Sequence, residues 1–159
     1  MEKAIVGAGC FWGVQFYFDQ VPGIVSSVVG YSGGNVENPS YELVCTHTTG
    51  HAEVVELTFD PKVISYADII KQFFRMHDPT QLNRQGPDIG DSYRSVIFYF
   101  NDKQKQTAEA EIKIAQANFS KPIVTEITKA GPFYEAEDYH QKFAERTGRG
   151  MCHVAYEPV

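Results

Sequence analysis

Residues 51–60 alternate with a period of two, which is the periodicity of a β-strand and not of a helix. One face of this strand carries Glu53, Val55, Leu57 and Phe59. Because most of these side chains are apolar, another layer must cover this face, and the Glu53 carboxyl group shares it. The stretch therefore requires a sheet with at least one buried face and places a carboxyl group on that face.

The rest of the chain mixes strands with helices. Apolar and β-branched runs predict further strands at residues 3–8, 24–31, 94–100 and 123–129. Helical spacing and capping residues predict helices at residues 14–19, 65–76, 103–118 and 135–146. Two polar loops with glycine and proline interrupt the pattern, at 32–40 and 77–91. This order is too mixed for a doubly wound parallel sheet and predicts an α+β fold, a two-layer sandwich of helices packed on a mixed sheet.

Length and charge limit the classes of function. The chain has 159 residues, enough for a single domain spanning 1–159 with a sizeable core. Its formal net charge of -6 argues against nucleic acid as the main partner, because such binding depends on lysine and arginine. The sequence shows no apolar run that could span a bilayer and no signal-peptide pattern at the N-terminus, so we expect a cytoplasmic protein with no membrane partner.

The three cysteines are Cys10, Cys45 and Cys152. In a reducing compartment they do not suggest a disulfide framework, and their spacing suggests no metal site. Cys45 lies in an apolar stretch and is expected to be buried and inert. Cys152 lies in a glycine-containing tail that we expect to be flexible beyond Thr147. A mobile second thiol could reach another thiol to form a disulfide, and the alternative is an incidental terminal thiol.

The Cys10 thiol stands between Gly9 and Gly13, with two aromatic rings directly after it. A strand before it and a helix after it would place Cys10 at or near a helix N-terminus, where unpaired N–H groups favour a thiolate. A helix dipole contributes roughly 0.3 to 1 kcal/mol, which is less than one pKa unit, so other donors must help to activate this thiol. The alternative is a buried cysteine that acts as an inert small hydrophobe.

Glu53 has two interpretations. As a residue near a strand edge it could turn its carboxylate toward solvent. If it is buried among apolar side chains and rings, desolvation would raise its pKa and keep it protonated near neutral pH, so that it could donate a proton. General-acid effects of about a hundredfold to ten-thousandfold would justify the cost of burying it.

Other polar side chains lie in or beside the two loops. Asp88, between a proline and an isoleucine, is usually explained by turn chemistry. Tyrosine hydroxyls at such places can donate hydrogen bonds into a pocket, although each ring alone more often serves packing. The tyrosines in question are Tyr31, Tyr41 and Tyr93.

Two other functions would each use some of these candidate residues. A cysteine hydrolase or acyl transferase would use Cys10 as nucleophile, His51 or His47 as base, and backbone N–H groups as an oxyanion hole. That function leaves Glu53 and Cys152 without a role. A non-enzymatic module would instead use the aromatic rings to bind a methylated cation or a peptide.

Seven short segments, taken together in this order and spacing, resemble the A-type peptide methionine sulfoxide reductases along nearly the whole chain. Each is weak alone, whereas the set is highly specific. The segments are GCFWG at 9–13, GY at 30–31, NPSY at 38–41, TGHAEVV at 49–55, HDPT at 77–80, GPDIG at 86–90 and YRS at 93–95.

The resemblance implies a role for each candidate residue. Cys10 would be the nucleophile and Glu53 the proton donor, and Cys152 would be the resolving cysteine, although tails in this family vary. The side chains implied to bind the substrate are Phe11 and Trp12 as the apolar wall for its methyl group, and Tyr41, Asp88 and Tyr93 as the polar part of the pocket. His47 stands where a smaller residue is expected, which leaves these assignments unchanged.

The resemblance also implies a fold and a reaction. The family fold is a ferredoxin-like α+β sandwich. The family reduces the S epimer of methionine sulfoxide, protein-bound or free, through a sulfenic acid on Cys10 and a disulfide between Cys10 and Cys152. Thioredoxin would reduce that disulfide by thiol exchange, so we expect no metal, flavin or nicotinamide cofactor.

Overall fold

A computed structural model describes residues 1–147 of the chain, which form one mixed sheet with helices packed on it. The predicted flexible tail and its cysteine, Cys152, lie outside the described residues. Within the described part, no helix combines the length and the apolar composition needed to cross a lipid bilayer.

Six strands form the main sheet in the order β7-β6-β1-β3-β2-β8. All neighbours are antiparallel except β6 and β7, which are parallel. The strand bounds are β1 Glu2–Ala8, β2 Ile24–Ser32, β3 Ala52–Phe59, β6 Ser95–Tyr99, β7 Glu126–Lys129 and β8 Phe133–Glu135. Two short strands, β4 Arg84–Gln85 and β5 Asp88–Ile89, form a separate hairpin.

Helices cover one face of this sheet. On the opposite face, several side chains of the strands are also buried. The helices are α1 Phe11–Asp19, α2 Tyr41–Cys45, α3 Tyr66–Arg75, α4 Asp102–Gln116 and α5 Phe143–Thr147. Side chains of α1, α3 and α4 form the main core with Val55, Leu57 and Phe59 of β3. A smaller cluster on the opposite face includes Val54 of the same strand. The predicted α+β class with helices on a mixed sheet is confirmed.

The alternation of β3 follows the prediction, because the face with Val55 and Leu57 meets the helices. In the register with β2, Glu53 stands directly opposite Tyr31. Side chains at directly opposite positions share one face of a sheet. The helix predicted at 65–76 begins with a side-chain cap, because the Ser65 hydroxyl accepts a hydrogen bond from the Asp68 N–H at 3.1 Å.

The predicted helix at 135–146 is wrong over most of its length. Residues 133–135 form β8, which extends the sheet beside β2. The side-chain amide of Gln141 then bonds both the N–H and the C=O of Val29, each at 3.0 Å, as another strand would. Only Phe143–Thr147 is α-helical. Sheet pairing has therefore overridden the helical pattern of this segment.

Each predicted loop contains or adjoins short helices or strands that the periodicity of the sequence did not reveal. The first ends in α2, which has five residues and begins after Ser40, whose hydroxyl accepts from the Leu43 N–H at 3.1 Å. The second contains the β4–β5 hairpin and a turn of 3₁₀ helix at Asp91–Tyr93. Elements of this length give too few repeats for a periodicity to be detected.

Candidate active site

Cys10 directly precedes α1, at the N-cap position of that helix. Gly9 links it to β1 with a φ of 93°, a left-handed conformation that favours glycine at this turn. The Cys10 side chain is half-buried. The thiol therefore lies at the end of the central strand β1 and beside the N–H groups of the first helical turn.

Glu53 lies beside the same helix terminus. Its carboxyl group is buried, with one per cent of the residue exposed, and Oε1 accepts a hydrogen bond from the Phe11 N–H at 3.2 Å. Oε2 is also buried and has no hydrogen-bond partner among the described residues. Burial raises the pKa of Glu53 to about 8; the Phe11 N–H opposes this shift and the Asp88 charge adds to it. At neutral pH the group is therefore mostly protonated, with one oxygen available to a ligand.

Aromatic rings from several elements surround Trp12. Phe143 of α5 stacks on the indole with ring centroids 3.9 Å apart. The indole N–H donates to Nδ1 of the buried His140 at 2.9 Å, and that ring also lies 4.4 Å from Tyr41. The fully buried Phe11 ring lies 5.2 Å from the same histidine. These contacts hold the indole in one orientation and form an apolar wall directly after Cys10.

The polar candidates lie within electrostatic reach of Glu53. Tyr41 begins α2 and Tyr93 ends the 3₁₀ turn, and for both hydroxyls burial, followed by the Glu53 charge, raises the pKa. Cys10 and Asp88 also act on Tyr93. Asp88 begins β5 and is half-buried. The structure thus brings the predicted tyrosines and carboxyl groups together, and both phenols stay protonated, as hydrogen-bond donors, at neutral pH.

The two histidines proposed as bases for Cys10 have other partners. His51 is buried, its Nδ1 accepts from the Gly34 N–H at 3.0 Å, and its Nε2 donates to the Val36 carbonyl at 2.7 Å. Because both ring nitrogens are engaged, His51 has no lone pair left to take a proton from Cys10. Nδ1 of His47 lies 3.3 Å from the Ser92 hydroxyl and 3.7 Å from an Asp91 carboxylate oxygen. The arrangement required for a cysteine hydrolase is absent at these two residues.

Comparison with known proteins identifies the kind of site. The family model described as peptide methionine sulfoxide reductase matches residues 2–159. The chain belongs to this family. A relative from Methanothermobacter thermautotrophicus, named peptide methionine sulfoxide reductase MsrA, is 56% identical over 155 residues, which is 96% of this chain and 92% of the relative.

Solved structures of similar proteins show the same fold. Reduced Mxr1 from Saccharomyces cerevisiae has a TM-score of 0.93 at 32% identity, covering 99% of this chain and 92% of that one. Mxr1 in complex with Trx2 is also similar, with a TM-score of 0.67 at 26% identity and coverage of 99% and 90%. This chain is therefore an oxidoreductase of the peptide methionine sulfoxide reductase family.

The site also contains residues that the sequence analysis did not select. His140, Glu137 and Phe143 all lie in the stretch that was predicted to be a helix. A helix at 135–146 would have placed them by helical spacing. Instead, β8, a second 3₁₀ turn at Asp138–His140 and α5 bring them against Trp12 and Tyr41. The one available signal was the concentration of ring-bearing and acidic side chains at 133–143, which is unusual for an exposed terminal helix. Residues 1–147 contain no cluster of three or more His, Cys, Asp or Glu side chains arranged to hold a metal ion.

Proposed function

We propose that this chain reduces the S epimer of methionine sulfoxide to methionine, with Cys10 as nucleophile and Glu53 as proton donor. The observation that carries this assignment is the buried Glu53 carboxyl, whose pKa is raised to about 8 and whose Oε2 has no partner within residues 1–147. A neutral acid at this place can protonate an oxygen that would otherwise be a poor leaving group. A sulfoxide has such an oxygen, bound to a sulfur that also carries an apolar methyl group.

The two sides of the site match the two sides of the substrate. The methyl group would contact the rings of Phe11 and Trp12. The sulfoxide oxygen would accept hydrogen bonds from Glu53, Tyr41 and Tyr93, which are neutral donors at pH 7. Asp88 would contact polar groups of the substrate. Because sulfur is chiral, only one epimer can place oxygen, methyl group and side chain correctly at once.

The chemical step transfers oxygen from one sulfur to another. The Cys10 sulfur attacks the sulfoxide sulfur while Glu53 gives its proton to the oxygen. The Cys10 thiol has by then lost its proton to solvent. The S–S bond formed in this attack and the S–O bond of the substrate both break as the hydroxyl passes to the Cys10 sulfur as a sulfenic acid, and methionine leaves with the two electrons that the Cys10 sulfur loses. Solvent then returns a proton to Glu53.

Thiols complete the cycle. The Cys152 sulfur would attack the sulfenic acid and form a disulfide with Cys10, and the oxygen would leave as water. Thioredoxin would then reduce this disulfide by exchange, which agrees with the solved complex of the relative Mxr1 with Trx2. All electrons in this cycle come from thiols, so no step requires a metal, flavin or nicotinamide.

Replacing Cys152 with serine should allow one turnover and then stop the reaction with thioredoxin as reductant, because the sulfenic acid would have no resolving thiol. The measurement is methionine released per enzyme in the first seconds and over an hour. Cys45→Ser is the matched control and should keep multiple turnover, because the serine hydroxyl can still accept the hydrogen bond that Tyr41 donates to Cys45. Unchanged multiple turnover by the Cys152 variant would show that another thiol resolves Cys10.

Replacing Trp12 with alanine should weaken sulfoxide binding by roughly 30- to 100-fold, the loss expected for removing a stacked ring from a methyl group. Trp12→Phe is the matched control. It retains an apolar ring but loses the bond to His140, and should lose less than tenfold. The apparent KM for a peptide that contains the S epimer measures both effects. An unchanged KM in the alanine variant would remove Trp12 from the pocket.

Three further parts of the proposal concern the fold, the domain organisation and the location of the protein. The central strands follow the order β6-β1-β3-β2, with α1 joining β1 to β2 and α3 joining β3 to the hairpin and β6, which supports a ferredoxin-like arrangement. The main core takes side chains from β1 through α4, which supports a single domain spanning 1–159. The few and separated cysteines support a reducing, cytoplasmic location.

Turnover of separate epimers tests the function directly. The protein is incubated with a small dithiol and with peptides that contain either the S or the R sulfoxide. We expect methionine from the S epimer and at least about a hundredfold less from the R epimer, because the reversed sulfur exchanges the positions of oxygen and methyl group. Equal rates with both epimers, or no methionine from either, would contradict the proposal.

A further inference from the structure

Glu137 connects two parts of the candidate site from a third element. It follows β8, whose pairing with β2 fixes the local backbone, and the N–H of the preceding Ala136 donates to the Val29 carbonyl at 2.9 Å. One carboxylate oxygen of Glu137 accepts from the Tyr31 hydroxyl at 3.0 Å. The other accepts from the backbone N–H of Tyr41, also at 3.0 Å. A single side chain therefore joins β2 to the first residue of α2.

In this contact Glu137 accepts a hydrogen bond at each of its two oxygens. Burial alone would raise the pKa of Glu137, but the Tyr41 N–H, with the Tyr31 hydroxyl, holds it below its usual value, so the group is a carboxylate. Its two oxygens face two donors, which is the pairing that an ionised carboxyl group can satisfy. The proton of the Tyr31 hydroxyl is consequently used in this bond and is not available to a substrate oxygen.

The helix that carries Tyr41 depends on such external bonds. With five residues, α2 is too short to be stable by its own hydrogen bonds. Its first turn is held by Ser40, whose hydroxyl accepts from the Leu43 N–H, and by Glu137, which accepts from the Tyr41 N–H. The ring of Tyr41 stacks at 6.3 Å from Trp12 and 6.4 Å from Phe11. The backbone anchor therefore determines where the Tyr41 ring stands. The Tyr41 hydroxyl donates to the Cys45 thiol, a weak acceptor that a sulfoxide oxygen can replace.

We propose that Glu137 is a positioning residue for sulfoxide reduction: by binding the Tyr41 N–H and the Tyr31 hydroxyl together, it ties α2 to β2 and places the Tyr41 hydroxyl where it can donate to the substrate oxygen. This inference rests on the proposed function. It assigns Glu137 no contact with the substrate. Its effect passes through the placement of Tyr41, and a displacement of about 1 Å at such a donor can cost on the order of a hundredfold in rate.

Two conservative variants distinguish the effect of the length of the Glu137 side chain from the effect of its charge. Glu137→Gln keeps the length of the side chain: its amide oxygen can still accept from the Tyr41 N–H while its amide N–H donates to the Tyr31 oxygen. Glu137→Asp keeps the charge but is one methylene shorter and cannot reach both donors. Positioning predicts that the glutamine variant stays near the parent rate and that the aspartate variant is slow. A role for the charge predicts the reverse order.

The test uses a Tyr93→Phe parent, so that Tyr41 is the remaining phenol among the proposed oxygen donors. Single-turnover reduction of an S-epimer peptide is measured by rapid quenching. We expect the Glu137→Asp variant of this parent to be about 10- to 100-fold slower and the Glu137→Gln variant to stay within about threefold. Melting temperatures and circular dichroism establish that both variants are folded.

A double-mutant cycle then shows whether the effect passes through Tyr41. When Tyr41→Phe is also present, adding Glu137→Asp should change the single-turnover rate by less than about twofold, because there is no hydroxyl left to place. An equal cost with and without the Tyr41 hydroxyl would overturn the proposal, as would a slow glutamine variant or an unaffected aspartate variant. S-epimer turnover by the parent protein establishes the proposed function independently of any of these results.

Discussion

Replacing Glu53 with glutamine should slow sulfoxide reduction by about a hundredfold to ten-thousandfold and also make the folded protein more stable at neutral pH. The rate falls because the amide keeps the shape of the side chain but has no acidic proton to give to the sulfoxide oxygen. The stability rises because the amide does not ionise. One substitution therefore has opposite effects on activity and on the free energy of unfolding.

The sign of the stability effect follows from the pKa of Glu53, which is raised from 4.5 to about 8 by burial. Between these pH values the folded protein holds a proton that the unfolded chain releases. The contribution of Glu53 to stability is therefore complete below pH 4.5 and is lost as the pH rises to about 8. At pH 7 the penalty removed by Glu53→Gln is at most about 3 kcal/mol.

Denaturant unfolding of the two proteins at pH 5 and pH 8 measures this difference. We expect the stability advantage of the glutamine variant to be small at pH 5 and largest at pH 8. Glu109→Gln, on the exposed face of α4, is the matched control and should show no such trend. Two results would contradict the assigned role of Glu53. One is wild-type activity of Glu53→Gln, and the other is a stability advantage of this variant over the wild type that decreases between pH 5 and pH 8.

Replacing Cys10 with serine should lower methionine formation by at least about ten-thousandfold, because a hydroxyl cannot accept the transferred oxygen. The binding site itself should remain. Trp12 is the only tryptophan of the chain and lies directly after residue 10 in the aromatic wall, so its fluorescence reports binding. We expect the serine variant to bind an S-epimer peptide within about threefold of the wild type.

Two outcomes would contradict the account of Cys10. Turnover that survives in Cys10→Ser would move the nucleophile elsewhere. Loss of both binding and turnover in a folded sample would mean that Cys10 maintains the structure of the pocket and is not the nucleophile. Cys45→Ser again serves as the control, because burial raises the pKa of the Cys45 thiol and its contact in the site, a hydrogen bond accepted from the Tyr41 hydroxyl, can also be made by serine.

The sequence predicted those parts of the site that depend on regular elements. The period of two in β3 placed Glu53 on the core face, and the glycine turn before α1 placed Cys10 at a helix N-terminus. These predictions succeed because periodicity and turn geometry are local properties. The family resemblance, and not the periodicity, supplied the roles of Tyr41, Asp88 and Tyr93.

The remaining parts depend on tertiary contacts that no local pattern contains. Residues 135–141 belong to the segment 135–146 whose pattern predicted a helix, yet hydrogen bonds to β2 across more than a hundred residues of sequence hold them as a strand end and a turn. Because Glu137 and His140 belong to this segment, their contacts with Tyr41 and Trp12 could not be predicted from the sequence. The order of the strands in the sheet is likewise not determined by periodicity.

The most direct test of the account is a thiol count on the fully reduced protein after one equivalent of S-epimer methionine sulfoxide, without reductant. The account predicts one methionine per protein and the loss of two of the three thiols, with peptide mapping that joins Cys10 to Cys152. No methionine and three intact thiols in a folded sample would contradict it.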